Sequence, residues 1–178
     1  MKATMILIFA AVCQLASAQE KHTISAEEMR SILLQGLKTT HDDAKWFVPV
    51  NVAVEGVTAE QASWKDGSGN HSVGQLAYHI WFWNKSNLDN FQGKTSKQPG
   101  SNEETFDKFD QKQWTQLVKD LDQVMKDLES LILNAPEAKL REWAPTIMNI
   151  STHNAYHTGQ IIFVRKLQKS WDPKKGVQ

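Results

Sequence analysis

The chain has 178 residues, with 20 basic side chains against 20 acidic ones, six histidines and one cysteine. Balanced charge argues against nucleic acid, whose binding depends on a concentrated basic surface. It also gives no support to attraction by an anionic membrane, so a small molecule is the expected partner.

Residues 1–18 carry the marks of a cleaved signal peptide. Lys2 gives a positive start, Met5 to Val12 form a short apolar core, and Ala16-Ser17-Ala18 offer a small-x-small cleavage pattern. The apolar run is shorter than the roughly 20 residues that a stable membrane anchor needs. Val12 disfavours a lipid anchor on Cys13, because such signals want a small residue there. These features predict export, a mature start at Gln19, and one domain over residues 19–178. The mature chain then lacks any thiol, so a nucleophile or metal ligand must be His, Asp, Glu, Lys, Ser, Thr or Tyr.

Four helical segments follow. The first opens on "SAEE", where Ser25 and Glu28 make a capping box. Met29, Ile32, Leu33 and Leu37 recur at helical spacing, with Ala44 beyond them and Pro49 closing the segment. A loop, "VEGVTAEQASWKDGSGN", precedes a second helix from about Ser72 to Gln92. Its stripe is Val73, Leu76, Ile80, Trp83 and Leu88, with Trp81 and Phe82 adding aromatic surface on other sides. The polar "GKTSKQPGSN", Gly93 to Asn102, reads as an exposed, mobile connection.

The third helix is the most periodic, from Trp114 and Leu117 through Leu121, Val124, Met125 and Leu128 to Ile132. Its charges, including an Asp122/Lys126 pair at i,i+4, read as a solvated face. The fourth helix is predicted from Asn149 to Thr152 onward, ending near Lys169. Ile150, His153, His157, Ile161, Val164 and Gln168 line one stripe. No alternating strand pattern of useful length occurs, and an all-α four-helix bundle is the expected fold.

His153 and His157 stand four residues apart, hence one above the other on one helix face. Taken alone, the pair fits hydrogen-bonded core histidines as well as half of a metal site. His79 changes the balance, because it sits between Leu76, Ile80 and Trp83 on an inward stripe of the second helix. An unpaired buried polar group costs about 1–3 kcal/mol, and a shared divalent ion would satisfy three imidazoles together. Such ligands suit zinc, nickel, copper or iron, and three of them leave open positions of the catalytic kind. "HNAYH" has the histidine spacing of zinc proteases but Asn154 in place of their catalytic glutamate, which argues against that activity.

"SVGQLAYHIWFWN" and, about seventy residues on, "STHNAYHTGQIIFVRKL" resemble the DinB/YfiT-like superfamily of four-helix-bundle metalloenzymes. Its hallmark is a histidine on the second helix, an H-x-x-x-H pair on the fourth, then Gly-Gln and an arginine. Here these are His79, His153, His157, Gly159, Gln160 and Arg165. The resemblance implies a divalent metal, commonly nickel or zinc, held by the three histidines. Thr158 departs from it, since members often carry arginine there.

Gln160, three residues after His157, and Gln75, four before His79, are spaced to orient imidazoles or to be ordinary surface amides. Tyr156 is a third candidate beside the ligands, although its face, like that of Tyr78, reads first as core. Gly159 most simply allows close helix approach, and Arg165 most simply faces solvent or an acid. His22, His41 and His71 lack ligand geometry. Asp89 lies roughly 15 Å along the helix from His79, too far for a general base.

The leading expectation is an exported metal-dependent hydrolase acting through a metal-bound water. The alternatives are a non-catalytic bundle that binds metal or a small ligand, and a purely structural one. The resemblance also implies thiol-dependent transferases, but their low-molecular-weight thiols are cytoplasmic and the leader argues against them. Whether a second copy pairs as a homodimer through tryptophan-rich faces is left open.

Overall fold

A computed structural model describes residues 23–96 and 98–176. The leader over residues 1–18 and His22 therefore lie outside the described residues. Within them are seven α-helices, two 3-10 turns and no strand. Four long helices form the bundle that the sequence predicts: α1 (Ala26–His41), α4 (Val73–Phe91), α6 (Trp114–Asn134) and α7 (Glu137–Leu167). Each of α1 and α4 packs against both α6 and α7. Among the described residues no helix is long and apolar enough to cross a membrane.

Local chemistry starts the helices where the sequence indicates. Ser25 and Glu28 close a reciprocal capping box on α1, and Ser72 and Gln75 close another on α4. Leu37, Leu76, Ile80, Leu121, Met125, Leu128 and Ile161 are fully enclosed or nearly so, and they form the centre of the core. The glycine at the start of α4 has a packing reason. A Cβ on Gly74 would overlap the Phe109 ring, which lies on the returning connection.

Long-range contacts give the directions. Gly36 meets Ser151 and Arg141 meets Ile24, so α1 and α7 run the same way. Arg30 bonds the end of α6 and His41 bonds Asp122, so those two helices are antiparallel. His79 faces His153 while Phe91 stacks near Trp143, so α4 and α7 are antiparallel too. Helices α4 and α6 are consecutive long helices running the same way. The chain between them must therefore travel back along a helix of roughly 28 Å, at 1.5 Å per residue. That crossover contains the one-turn α5 (Glu104–Asp107).

Several local expectations need correction. The segment after Val48 is not a plain loop, because α2 (Val50–Val54) and α3 (Ala59–Ser63) pack into the bundle, α3 behind a Thr58/Gln61 capping box. Helix α7 begins at Glu137 rather than near Asn149, and Pro145 lies inside it. Proline removes one helical hydrogen bond, but burial of Leu140, Ile147 and Ile150 holds the helix through it. Arg165 faces neither solvent nor an acid. It is 4% exposed, and its guanidinium donates to the Ala53 and Glu55 carbonyls at the end of α2 and to the Ser170 carbonyl. Arg30 does the same for α6, donating to Ile132, Leu133 and Ala135. Helix C-termini leave carbonyls unsatisfied and carry partial negative charge, and both arginines answer that need.

His41 is fully buried at the end of α1. Its Nδ1 lies 2.7 Å from Glu129 and its Nε2 lies 2.9 Å from Asp122, both on α6. Asp122 also accepts from Asn51 and Lys126, so it is a bridge between elements rather than part of a purely solvated face. Carboxylates can only accept, so this ring donates from both nitrogens and is held as imidazolium. Burial alone would lower its pKa, but the bonds to Glu129 and Asp122 outweigh that and raise it above the usual value near 6.5.

A raised folded pKa gives stability that is complete below about pH 6.5 and is lost as pH rises through the folded value. The melting temperature should accordingly fall as the pH rises above about 6.5 in the wild type, and that slope should flatten in His41→Gln. His41→Ala, which leaves the half-buried Glu129 without its partner, should cost about 3 kcal/mol in denaturant unfolding.

Candidate metal centre

Helix α4 contributes His79 and α7 contributes His153 and His157, one turn apart. One ring nitrogen from each lies within 4.8 Å of the others. His79 and His157 are buried and His153 is half-buried. The Nε2 atoms of His79 and His153 are 3.0 Å apart, and the His157 ring centre is 4.5 Å from each of the other two. The antiparallel packing of α4 on α7 thus makes one cluster from residues more than seventy positions apart.

Hydrogen bonds fix which nitrogens are free. The Thr105 hydroxyl donates to the Asn102 carbonyl at 2.6 Å, so its lone pair accepts the His79 Nδ1–H at 2.5 Å. Gln160 Oε1, which can only accept, takes the His157 Nδ1–H at 2.6 Å. Both rings are left with their Nε2 lone pairs uncommitted by a proton, the form in which imidazole binds a metal. Phe106 holds the plane of His79 by stacking on it at 4.0 Å, and His71 stacks on the other face of Phe106 at 3.8 Å.

The electrostatics favour the neutral rings. Burial, then the proximity of His157, His153 and His71, pushes the His79 pKa down to about 3. Burial, followed by His157, brings His153 to about 4. His157 is lowered chiefly by burial, against the opposing bond to Gln160. At neutral pH the cluster is uncharged, unlike His41. Among the described residues, none of the hydrogen bonds of the three imidazoles is to a carboxylate. An all-nitrogen, uncharged, convergent donor set can hold a divalent metal ion.

The other sequence candidates divide. Gln160 lies on His157 as its spacing suggests. Gln75 does not reach His79: its Oε1 accepts from the Ser72 backbone N–H, so it caps α4. Tyr156 is 65% exposed rather than core, with its ring 4.9 Å from that of His157 and its hydroxyl 3.4 Å from Gln160 Nε2. Asp89 is occupied by Lys85. Trp83 stands edge-on to His79 and borders a cleft shared with His153, whereas Trp81 packs elsewhere beside Tyr78. His41 makes a second group with Asp42 and Glu129, where both ring nitrogens already have carboxylate partners.

Thr105 and Phe106 were not singled out by the sequence. They arrive on the one-turn α5, where too few residues exist to establish a period. The only signal was indirect, since a buried histidine needs an acceptor on its second nitrogen.

Thr105→Val keeps the shape and removes that acceptor. It should weaken zinc binding about 10- to 100-fold in competition with a chromophoric chelator, with helicity by circular dichroism unchanged.

The sequence profile of the DinB superfamily matches residues 50–162, well over half of the chain and all three histidines. No curated protein and no solved structure matches it at a significant level. The profile match agrees with the helical fold and the histidine cluster, and the chain belongs to the DinB superfamily.

Proposed function

We propose that the protein is an exported metal-dependent enzyme, a hydrolase, that holds nickel or zinc on His79, His153 and His157. The observation carrying this reading is the cluster itself: three uncharged imidazoles converge, and two have their Nδ1–H groups already committed to Thr105 and Gln160. When bound there, a divalent ion supplies Lewis acidity that polarises a carbonyl or phosphoryl oxygen and makes water acidic near neutral pH.

The chain's own residues prepare the site. Thr105 and Phe106 hold His79, and Gln160 holds His157. Because the His79 proton sits on Nδ1, the His153 Nε2–H donates to the His79 Nε2 lone pair at 3.0 Å, and an ion held on both Nε2 atoms would require that proton to sit on His153 Nδ1 instead. Trp83 and Ile150 provide apolar surface beside His153, and a neighbouring cleft of about 370 Å³ is large enough for a small substrate. Export rests on the leader-like residues 1–18 and also weighs against cytoplasmic thiols as co-substrates.

A second reading, a non-catalytic bundle that binds metal or a small ligand, is favoured by the lack of carboxylate contacts on the imidazoles. It would need no group to move protons.

Elemental analysis of untagged mature protein should find about one equivalent of nickel or zinc, lost in both His79→Ala and His157→Ala. Because the rings are already uncharged, loading apoprotein at neutral pH should displace no proton from the imidazoles, and binding should weaken as the pH falls toward 4. Turnover on a panel of esters, amides and phosphoesters, dependent on that metal, would support the hydrolase. Tight metal binding without turnover would favour the binder, and no stoichiometric metal even after soaking would overturn both metal readings. Terminal sequencing of secreted protein should begin at Gln19.

A further inference from the structure

Beside the histidine cluster, a cleft of about 370 Å³ runs between α4 and α7. Helix α4 lines it with Trp83, Asn84 and Asn87, one and two turns beyond His79. Helix α7 lines it with Thr146, Asn149 and Ile150, ahead of His153, which borders it directly. The crossover adds Asn102. Four of these residues are asparagines, and none is Lys, Arg, Asp or Glu.

Asn84 is the informative member. It is 1% exposed, and its Nδ2 is engaged by Met125 Sδ and Asn154 Oδ1. Its Oδ1 is buried and has no hydrogen-bond partner among the described residues. A buried unpaired acceptor is costly, and a ligand that supplies a donor removes the cost. An anion has no donor to give it. A cation would find no carboxylate in the cleft to offset its desolvation. A neutral group with both N–H and C=O satisfies Asn84 and can also pair with the side-chain amides of Asn102 and Asn149.

We propose that this cleft selects the substrate, and that it takes a neutral carboxamide or peptide-like group, with Asn84 Oδ1 accepting its N–H and Trp83 and Ile150 covering its apolar part. This rests on the metal-site reading for its role in catalysis, but not for binding itself. The amide face of such a ligand lies next to His153, where the reacting carbonyl of an amide would have to be.

The test is a titration of isotope-labelled, metal-free mature protein with benzamide, benzoate and benzylamine, followed by the side-chain amide resonances of the asparagines. Benzamide should shift those of Asn84, Asn102 and Asn149 and bind about tenfold or more tighter than either charged analogue. Asn149→Leu, an exposed position that leaves the fold intact, should weaken benzamide several-fold. Asn149→Lys should turn the preference toward benzoate. Equal binding of benzoate or benzylamine, shifts confined to other surfaces, or no binding of any probe would overturn the proposal. Because the titration needs no metal, its failure is separate from that of the metal reading: one equivalent of bound ion with no amide preference removes only the selective cleft. An amide preference in a chain that binds no ion removes only the metal.

Discussion

The packing of α4 against α7 is the constraint on which the rest depends. Once the two helices lie antiparallel, His79 must face His153 and His157, and a half-polar seam must be satisfied inside an apolar bundle. The solution is graded along the seam. At the Asn84 level, amides of Asn84 and Asn154 pair with each other and with Met125 Sδ. One turn away the imidazoles take over, and Phe91 and Trp143 close the far end with aromatic contact. A bundle held only by leucines could slide or rotate about such a seam at modest cost. Buried amides and imidazoles permit only registers that pair them.

Histidine occupies two opposite electrostatic states in this chain, and burial is not what separates them. His41 and His79 are both enclosed. Around His41 the acceptors are carboxylates on both sides, which outweigh desolvation and keep the ring charged. Around His79 the partners are a hydroxyl and other imidazoles, so desolvation wins and the ring is neutral. The first arrangement makes a strut between α1 and α6. The second makes a ligand set, because a metal competes with protons for the same lone pairs.

Much of this was legible in the sequence where the signal was local or periodic. The Ser25/Glu28 pattern marks a helix start by a mechanism that acts over four residues, and the α6 stripe repeats often enough to define a face. The three histidines were legible because they interrupt apolar stripes. What was not legible depends on partners distant in sequence. Nothing near Arg165 indicates that the carbonyls of Ala53 and Glu55 will close over it, and nothing near His41 names Glu129. Gln75 misled for a related reason, since its spacing from His79 is also the spacing of a capping residue from Ser72, and the local bond prevailed. The first half of α7, with Pro145 inside it, was not legible because a proline disfavours helix locally, whereas the burial that holds the helix through it is tertiary.

The crossover between α4 and α6 shows how topology, rather than any motif, completes the centre. Two parallel neighbours oblige the chain to return along the bundle, and a return path of that length passes the open end of the α4/α7 seam. It puts Asn102 on the cleft and Thr105 on His79 within four residues, and the Asn102 carbonyl is itself the acceptor for Thr105. A ligand that moves Asn102 therefore acts on the hydrogen bond that sets the tautomer of His79. Phe106, the residue after Thr105, supports the same ring by stacking on its face. The wall of the cleft and the support of the imidazole are thus one short piece of backbone.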